Sequence, residues 1–242
     1  LMMAGLLVAS SIITSSLVIG DSLDTTLSKE VEAVYGDTDL LISQKDRRTG
    51  FSADLDINLT SMMGQTLVAS GYADKWSHGI ESTVTITSAS EKSIPSLSWF
   101  AYPEWNGVAV NDIAAKELDI DTGDSIDLTW YYYSDSGELQ SDNSSMIVDA
   151  IIPMAGKGSM SGTKSPAIFT SLSISQEAQN KMSMVNTIRV SLDDGLVASE
   201  TVPEIKTSLN QLIGYEEAGF EITSDGDALS ISYAQGLGRL SA

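Results

Sequence analysis

The chain has 242 residues, 42% of them hydrophobic, enough to bury a core in one large domain or two small ones. Thirteen Lys and Arg stand against 33 Asp and Glu, a net charge of −20, and a surface of that sign repels nucleic acid and anionic headgroups. With no cysteine there is neither a disulfide framework nor a thiolate metal site. The acids are dispersed, as in Asp37, Asp39, Asp54 and Asp56, which suits a cation-rich exterior and equally a plain solvated surface.

Leu1 to Ile19 carry no charge. As a helix they span roughly 28 Å, about one bilayer hydrocarbon core. Ala4, Gly5, Ala9, Ser10, Ser11, Ser15 and Ser16 permit close helix contact in a membrane. The stretch reads as a transmembrane helix over residues 1–20, in preference to a signal peptide, because no basic residue precedes it. The opening Leu-Met-Met reads as a cut from a longer chain.

Helical spacing continues through Leu23, Leu27, Val31 and Val34, with Gly36 as a C-cap. The membrane helix is therefore expected to enter the outer domain without a joint. Thr38 to Ser43 reads as a strand and Asn58 to Ala69 as a helix. Ile80 to Thr87 alternates as a strand, and Ile94 to Trp105 is irregular. Gly107 to Asn111 is a strand leading into a helix over Asp112 to Leu118. Ser125 to Tyr133 is a strand rich in β-branched and aromatic residues. Ser134 to Ser145 reads as a polar hairpin loop, Met146 to Pro153 as a strand, and Gly156 to Lys164 as a flexible loop. Thr187 to Leu192 is a strand. Val202, Ile205, Leu209, Leu212 and Ile213 stripe a helix that Pro203 helps to start. Phe220 to Thr223 is a short strand, and residues 231–242 lead toward a second membrane helix.

His78 is the only histidine, so a zinc site would need carboxylates for nearly every ligand. Beside Trp76 and Gly79 it reads as a surface or strand-edge residue. No serine lies in a nucleophile elbow. Gly162-Thr163-Lys164-Ser165 fails the phosphate-loop pattern, because Thr163 separates Gly from Lys. Asp119, Asp121, Asp124 and Asp127 fail the EF-hand spacing, with Trp130 where the bidentate Glu belongs, and read as an acidic turn. Asn58-Leu59-Thr60 and Asn143-Ser144-Ser145 fit the glycosylation acceptor, a tripeptide common by chance. The run Trp99 to Trp105 reads as core before contact surface. No catalytic, cofactor-binding or metal-ligating residue is assigned, no cofactor is expected, and an enzyme is not expected.

Two stretches carry a resemblance. One is Gly20-Asp21-Ser22-Leu23 closing a membrane helix, followed by Gly36-Asp37-Thr38-Asp39-Leu40-Leu41-Ile42. The other is Val108-Ala109-Val110-Asn111, then Ala114-Ala115-Lys116-Glu117-Leu118, then Thr122-Gly123-Asp124-Ser125-Ile126-Asp127-Leu128. Together they resemble the extracytoplasmic region of MacB/FtsX-like ABC transporter permeases. The resemblance implies an α+β fold: a mixed α/β base from residues 21–89 and 186–230, and a β-rich subdomain inserted at 90–185. It also implies a partner ATPase on the cytoplasmic side, pairing of permeases as homodimer or heterodimer, contact with membrane lipid, and mechanotransmission as the mechanism. Residues 21–242 are then mainly outside the cell membrane. The competing expectation is the ligand-sensing ectodomain of a transmembrane receptor.

Overall fold

The computed structural model describes residues 38–44, 52–134, 137–153, 165–213 and 220–224. The expectations for residues 1–37, the loop at 156–164 and the lead at 231–242 lie outside them. Among the described residues, no helix is long and apolar enough to cross a membrane.

The elements run β1 (Leu40–Gln44), β2 (Leu55–Asp56), α1 (Ile57–Ala69), β3 (Ala73–Ser88), β4 (Ser93–Tyr102), β5 (Val108–Asn111), α2 (Asp112–Leu118), β6 (Ser125–Tyr133), β7 (Leu139–Ile147), β8 (Ala150–Ile152), β9 (Ala167–Ser171), α3 (Leu172–Ala178), β10 (Met184–Val185), β11 (Thr187–Leu192), α4 (Ala198–Ile213) and β12 (Phe220–Ser224). The fold is mixed α+β with a core made mostly of sheet. The main sheet has the order β12-β1-β11-β3-β4-β9-β5-β8, and β6 and β7 branch from β3. Pairing is antiparallel except between β4 and β9 and between β5 and β8.

β3 is the axis of this sheet. Its first half, Ala73 to Gly79, pairs with β11. Its second half pairs with β4 from Ile80 and with β6 from Val84. Two apolar clusters follow from that exchange of partners. Around the first half, Leu40, Ile42, Ile188 and Val190 pack under Met63 and Leu67 of α1 and Ile205 and Leu209 of α4. Around the second, Val84, Ile86, Leu97, Trp99, Leu128 and Trp130 pack with Ala114 and Leu118 of α2.

Local chemistry explains the elements. The Asp56 carboxylate accepts from the Asn58 and Leu59 amides at 2.8 and 3.4 Å and so caps α1. Gly64 lies flat on Trp76, where a Cβ would come within 2.1 Å of the ring. In β6, Ile126, Leu128 and Trp130 are buried while Ser125 and Asp127 are exposed, the period of a half-buried strand.

Four sequence expectations are corrected. Residues 139–145 of the expected hairpin loop belong to β7, an exposed strand held by its ladder to β6. The expected strand at 146–153 divides between the end of β7 and the short β8. Residues 94–102 of the stretch read as irregular belong to a regular strand, β4. Pro203 lies inside α4, which begins at Ala198, and does not start it. The strand β9 and the helix α3 were not anticipated.

Candidate functional site: a buried charge cluster at the strand junction

The point where β3 changes partners holds the one ion pair among the described residues whose cation is buried. Arg189 on β11 donates from Nη2 to Glu81 Oε1 at 2.8 Å and from Nε to the same oxygen at 3.2 Å. Its Nε also donates to Tyr102 Oη on β4 at 2.7 Å. The Tyr102 hydroxyl in turn donates to Glu81. Three strands, β3, β4 and β11, each supply one member.

Backbone geometry puts them there. Gly79, opposite Thr187, has no side chain, and a Cβ would lie 2.5 Å from the Tyr102 ring and 2.6 Å from the Ala101 carbonyl oxygen. Tyr102 can therefore lie over the strand and reach Arg189. One residue before β11 the chain turns into β10, and the ladder to β3 would lapse. The Asn186 side chain replaces the missing rung: its Oδ1 accepts from the Glu81 amide and its Nδ2 donates to the Glu81 carbonyl, both at 2.8 Å. Glu81 is thereby fixed at backbone and side chain.

The electrostatics are those of a closed cluster. Burial, and next the Glu81 carboxylate, push the Tyr102 phenol well above its ordinary value, so it is a neutral hydroxyl at physiological pH. Burial pulls Arg189 down, but the combined influence of Tyr102 and Glu81 outweighs it and holds the guanidinium charged. Arg189 Nη1 is buried with no hydrogen-bond partner among the described residues. The guanidinium carbon lies 4.7 Å from the Tyr102 ring centroid and 5.8 Å from that of Phe100, so aromatic faces stabilise the cation. Desolvating two ions costs several kcal/mol each, which their attraction roughly offsets. The cluster thus contributes a unique alignment of three strands more than net stability.

The residues singled out by sequence stand elsewhere. His78 is half-buried on β3, paired with Ile188 of β11 just before the pairing with β4 begins at Ile80, with Trp76 at 5.5 Å and Thr60 Oγ1 3.5 Å from its Nδ1. Burial lowers its pKa, partly opposed by Glu104. Trp99, Phe100, Ala101 and Tyr102 are core, and Trp99 Nε1 donates to Thr170 Oγ1 at 2.8 Å. Asp119 closes α2 in the left-handed conformation and pairs with Lys92 at 2.9 Å. Asp124 accepts from the Asp121 amide at 2.8 Å, and Asp127 accepts from Ser145. Among the described residues, no group of three or more His, Asp or Glu is placed to hold a metal ion. Asn58 and Asn143 are both exposed, on α1 and β7. The Gly162 to Ser165 stretch lies outside the described residues except for Ser165. Sequence reasoning missed Arg189, Glu81 and Tyr102. The available signal was a charged residue between Ile188 and Val190 in an otherwise apolar strand.

No family model matches the chain, and no curated protein matches its sequence. Among solved structures, the periplasmic region of MacB from Actinobacillus actinomycetemcomitans superposes with a TM-score of 0.51 at 14% identity, covering 84% of this chain and 95% of that one. The extracellular domain of the noncanonic ABC-type transporter YknZ from Gram-positive bacteria gives a TM-score of 0.46 at 9% identity, covering 77% and 99%. The α+β architecture is that of the MacB periplasmic region.

Proposed function

We propose that this chain forms the extracytoplasmic lobe of an ABC-transporter permease and turns ATP hydrolysis on the cytoplasmic side into movement outside the membrane. The observation that carries this reading is the fold shared with the MacB periplasmic region over 84% of the chain. In this reading the lobe does no covalent chemistry. ATP is hydrolysed by a separate subunit or domain, the permease pairs as a homodimer or heterodimer, and lipid surrounds a helix at residues 1–20. Residues 21–89 and 186–230 form the base and residues 90–185 the insertion. The exchange of partners along β3 supports that division, and the Arg189 cluster is the joint between its two parts.

A lever needs stiffness at both ends. The cluster supplies it inside the lobe, and a helix running unbroken past Asp21 supplies it at the membrane. A flexible Gly/Ser spacer inserted after Asp21 in the full-length protein is expected to leave ATP turnover running while transport stops, measured side by side in proteoliposomes. Normal transport by the spacer variant rejects the lever.

A further inference from the structure

We infer that the outer end of the β6–β7 hairpin is a docking arm for a protein partner that presents Lys and Arg. The pairing of β6 with β3 ends at Val84↔Trp130, but β6 and β7 continue together to Tyr133↔Leu139. Nothing in the core requires that extension. The last buried residue of β6 is Trp130, and beyond it Tyr131, Tyr132 and Tyr133 are 61%, 40% and 45% exposed and Leu139 is 60% exposed. Strand alternation and the register Trp130↔Asp142 and Tyr132↔Gln140 put Tyr131, Tyr133 and Leu139 on one face of the arm and Tyr132, Glu138 and Asp142 on the other. Hydrogen bonds from Ser134 and Glu138 close the hairpin end and hold the two strands together.

The charge of the arm selects the partner. From Ser125 to Ile147 the chain has no Lys or Arg, while Asp127, Glu138 and Asp142 lie on it. Tyrosine faces attract cations, and nearby carboxylates add ion pairs, so Tyr132 flanked by Glu138 and Asp142 forms a receptor for guanidinium and ammonium groups, while Tyr131, Tyr133 and Leu139 add apolar contact on the opposite face. Rigid tyrosines also give contact area at low entropic cost. A second copy of this chain is a poor occupant, because each brings a net charge of −20. Among the described residues β7 pairs only with β6, and its far edge suits addition of a basic strand of the partner. The inference rests on this surface alone and stands or falls apart from the permease reading.

The test is photo-crosslinking in the producing cells with the full-length chain. p-Benzoylphenylalanine is placed at Tyr132 or Gln140, on the face of Glu138 and Asp142, with Thr83, exposed on β3, as the control position. The expected result is one protein adduct from both arm positions and none from Thr83. Its crosslinked peptide carries Lys or Arg, and the adduct is lost in the E138K/D142K double variant and weakened in E138Q/D142N. Thermal melts of both double variants establish that the lobe remains folded. An adduct to a second copy, to lipid alone, or to no molecule overturns the inference, as does an adduct that survives charge reversal.

Discussion

Arg189 is 5% exposed and its carboxylate partner Glu81 is 26% exposed, so the two sides of the pair are desolvated unequally. Removing Arg189 leaves the carboxylate without its cation and the Tyr102 oxygen without its donor, while the Tyr102–Glu81 bond stays. Removing the Glu81 charge leaves a cation in the core. Breaking a buried pair from one side costs about 3 kcal/mol or more. R189M is therefore expected to lower the unfolding free energy by about 3 kcal/mol in urea titrations at neutral pH, and E81Q, which keeps a carbonyl acceptor, by less. A loss under about 1 kcal/mol for R189M would show that the cluster is not a clamp.

His78 gives a residue-scale pH dependence. Burial lowers its folded pKa below the unfolded value of about 6.5. Between those two values the unfolded chain binds more protons, so stability rises with pH there. The contribution of His78 is accordingly lost as pH falls through about 6.5 and levels off below the folded value. H78Q is expected to gain stability relative to the unmodified protein between pH 7.5 and pH 5.5, read from paired urea titrations at the two pH values. A constant difference between the two proteins contradicts it.

At the scale of elements, the β5–α2 module shows what a short motif encodes. Asn111 is fully buried. Its Oδ1 accepts from the Ala114 amide at 2.9 Å, capping α2, and from the Ala167 amide at 3.1 Å, fixing β9. Its Nδ2 donates to the Ser165 carbonyl at 2.8 Å. Beyond the helix, Gly123 takes a φ of 98°, and its amide donates to the Val148 carbonyl. The Val110-Asn111, Leu118 and Gly123-Asp124 positions are thus a strand end, a cap, a core contact and a turn, and their spacing is structural. N111A is expected to cost about 3 kcal/mol, since a cap is lost and buried donors are left unpaired, whereas N111S, which can still cap, costs less. Urea denaturation followed by tryptophan fluorescence measures both; equal losses would remove the cap from the account.

At the scale of the molecule, one long strand joins two apolar clusters, and a net charge of −20 surrounds them. Self-repulsion of that size destabilises the compact state, and added salt screens it. The Debye length shrinks from about 10 Å at 0.1 M to about 3 Å at 1 M, while the buried Arg189 pair is screened far less. Melting temperature is therefore expected to rise between 0.1 and 1 M NaCl in thermal-shift measurements. A fall would mean that exposed pairs such as Lys181–Asp54, 2.8 Å apart, outweigh the repulsion.

The sequence by itself determined the strands β1, β5, β6 and β11 and the helix α2, because each carries its own alternation, cap or turn residue. It also determined the acidic surface and the burial of Trp99 and Tyr102. Only the tertiary structure decided that Leu139 to Ile147, polar and exposed, would be a strand, because its order comes from the ladder to β6 and not from propensity. The seven residues of α3 were decided in the same way, by a cap from Ser171 and packing on β4 and β9. The charge cluster was illegible for a related reason. Its members stand 21, 87 and 108 positions apart, and no local pattern records that three strands will bring one cation, one carboxylate and one phenol together.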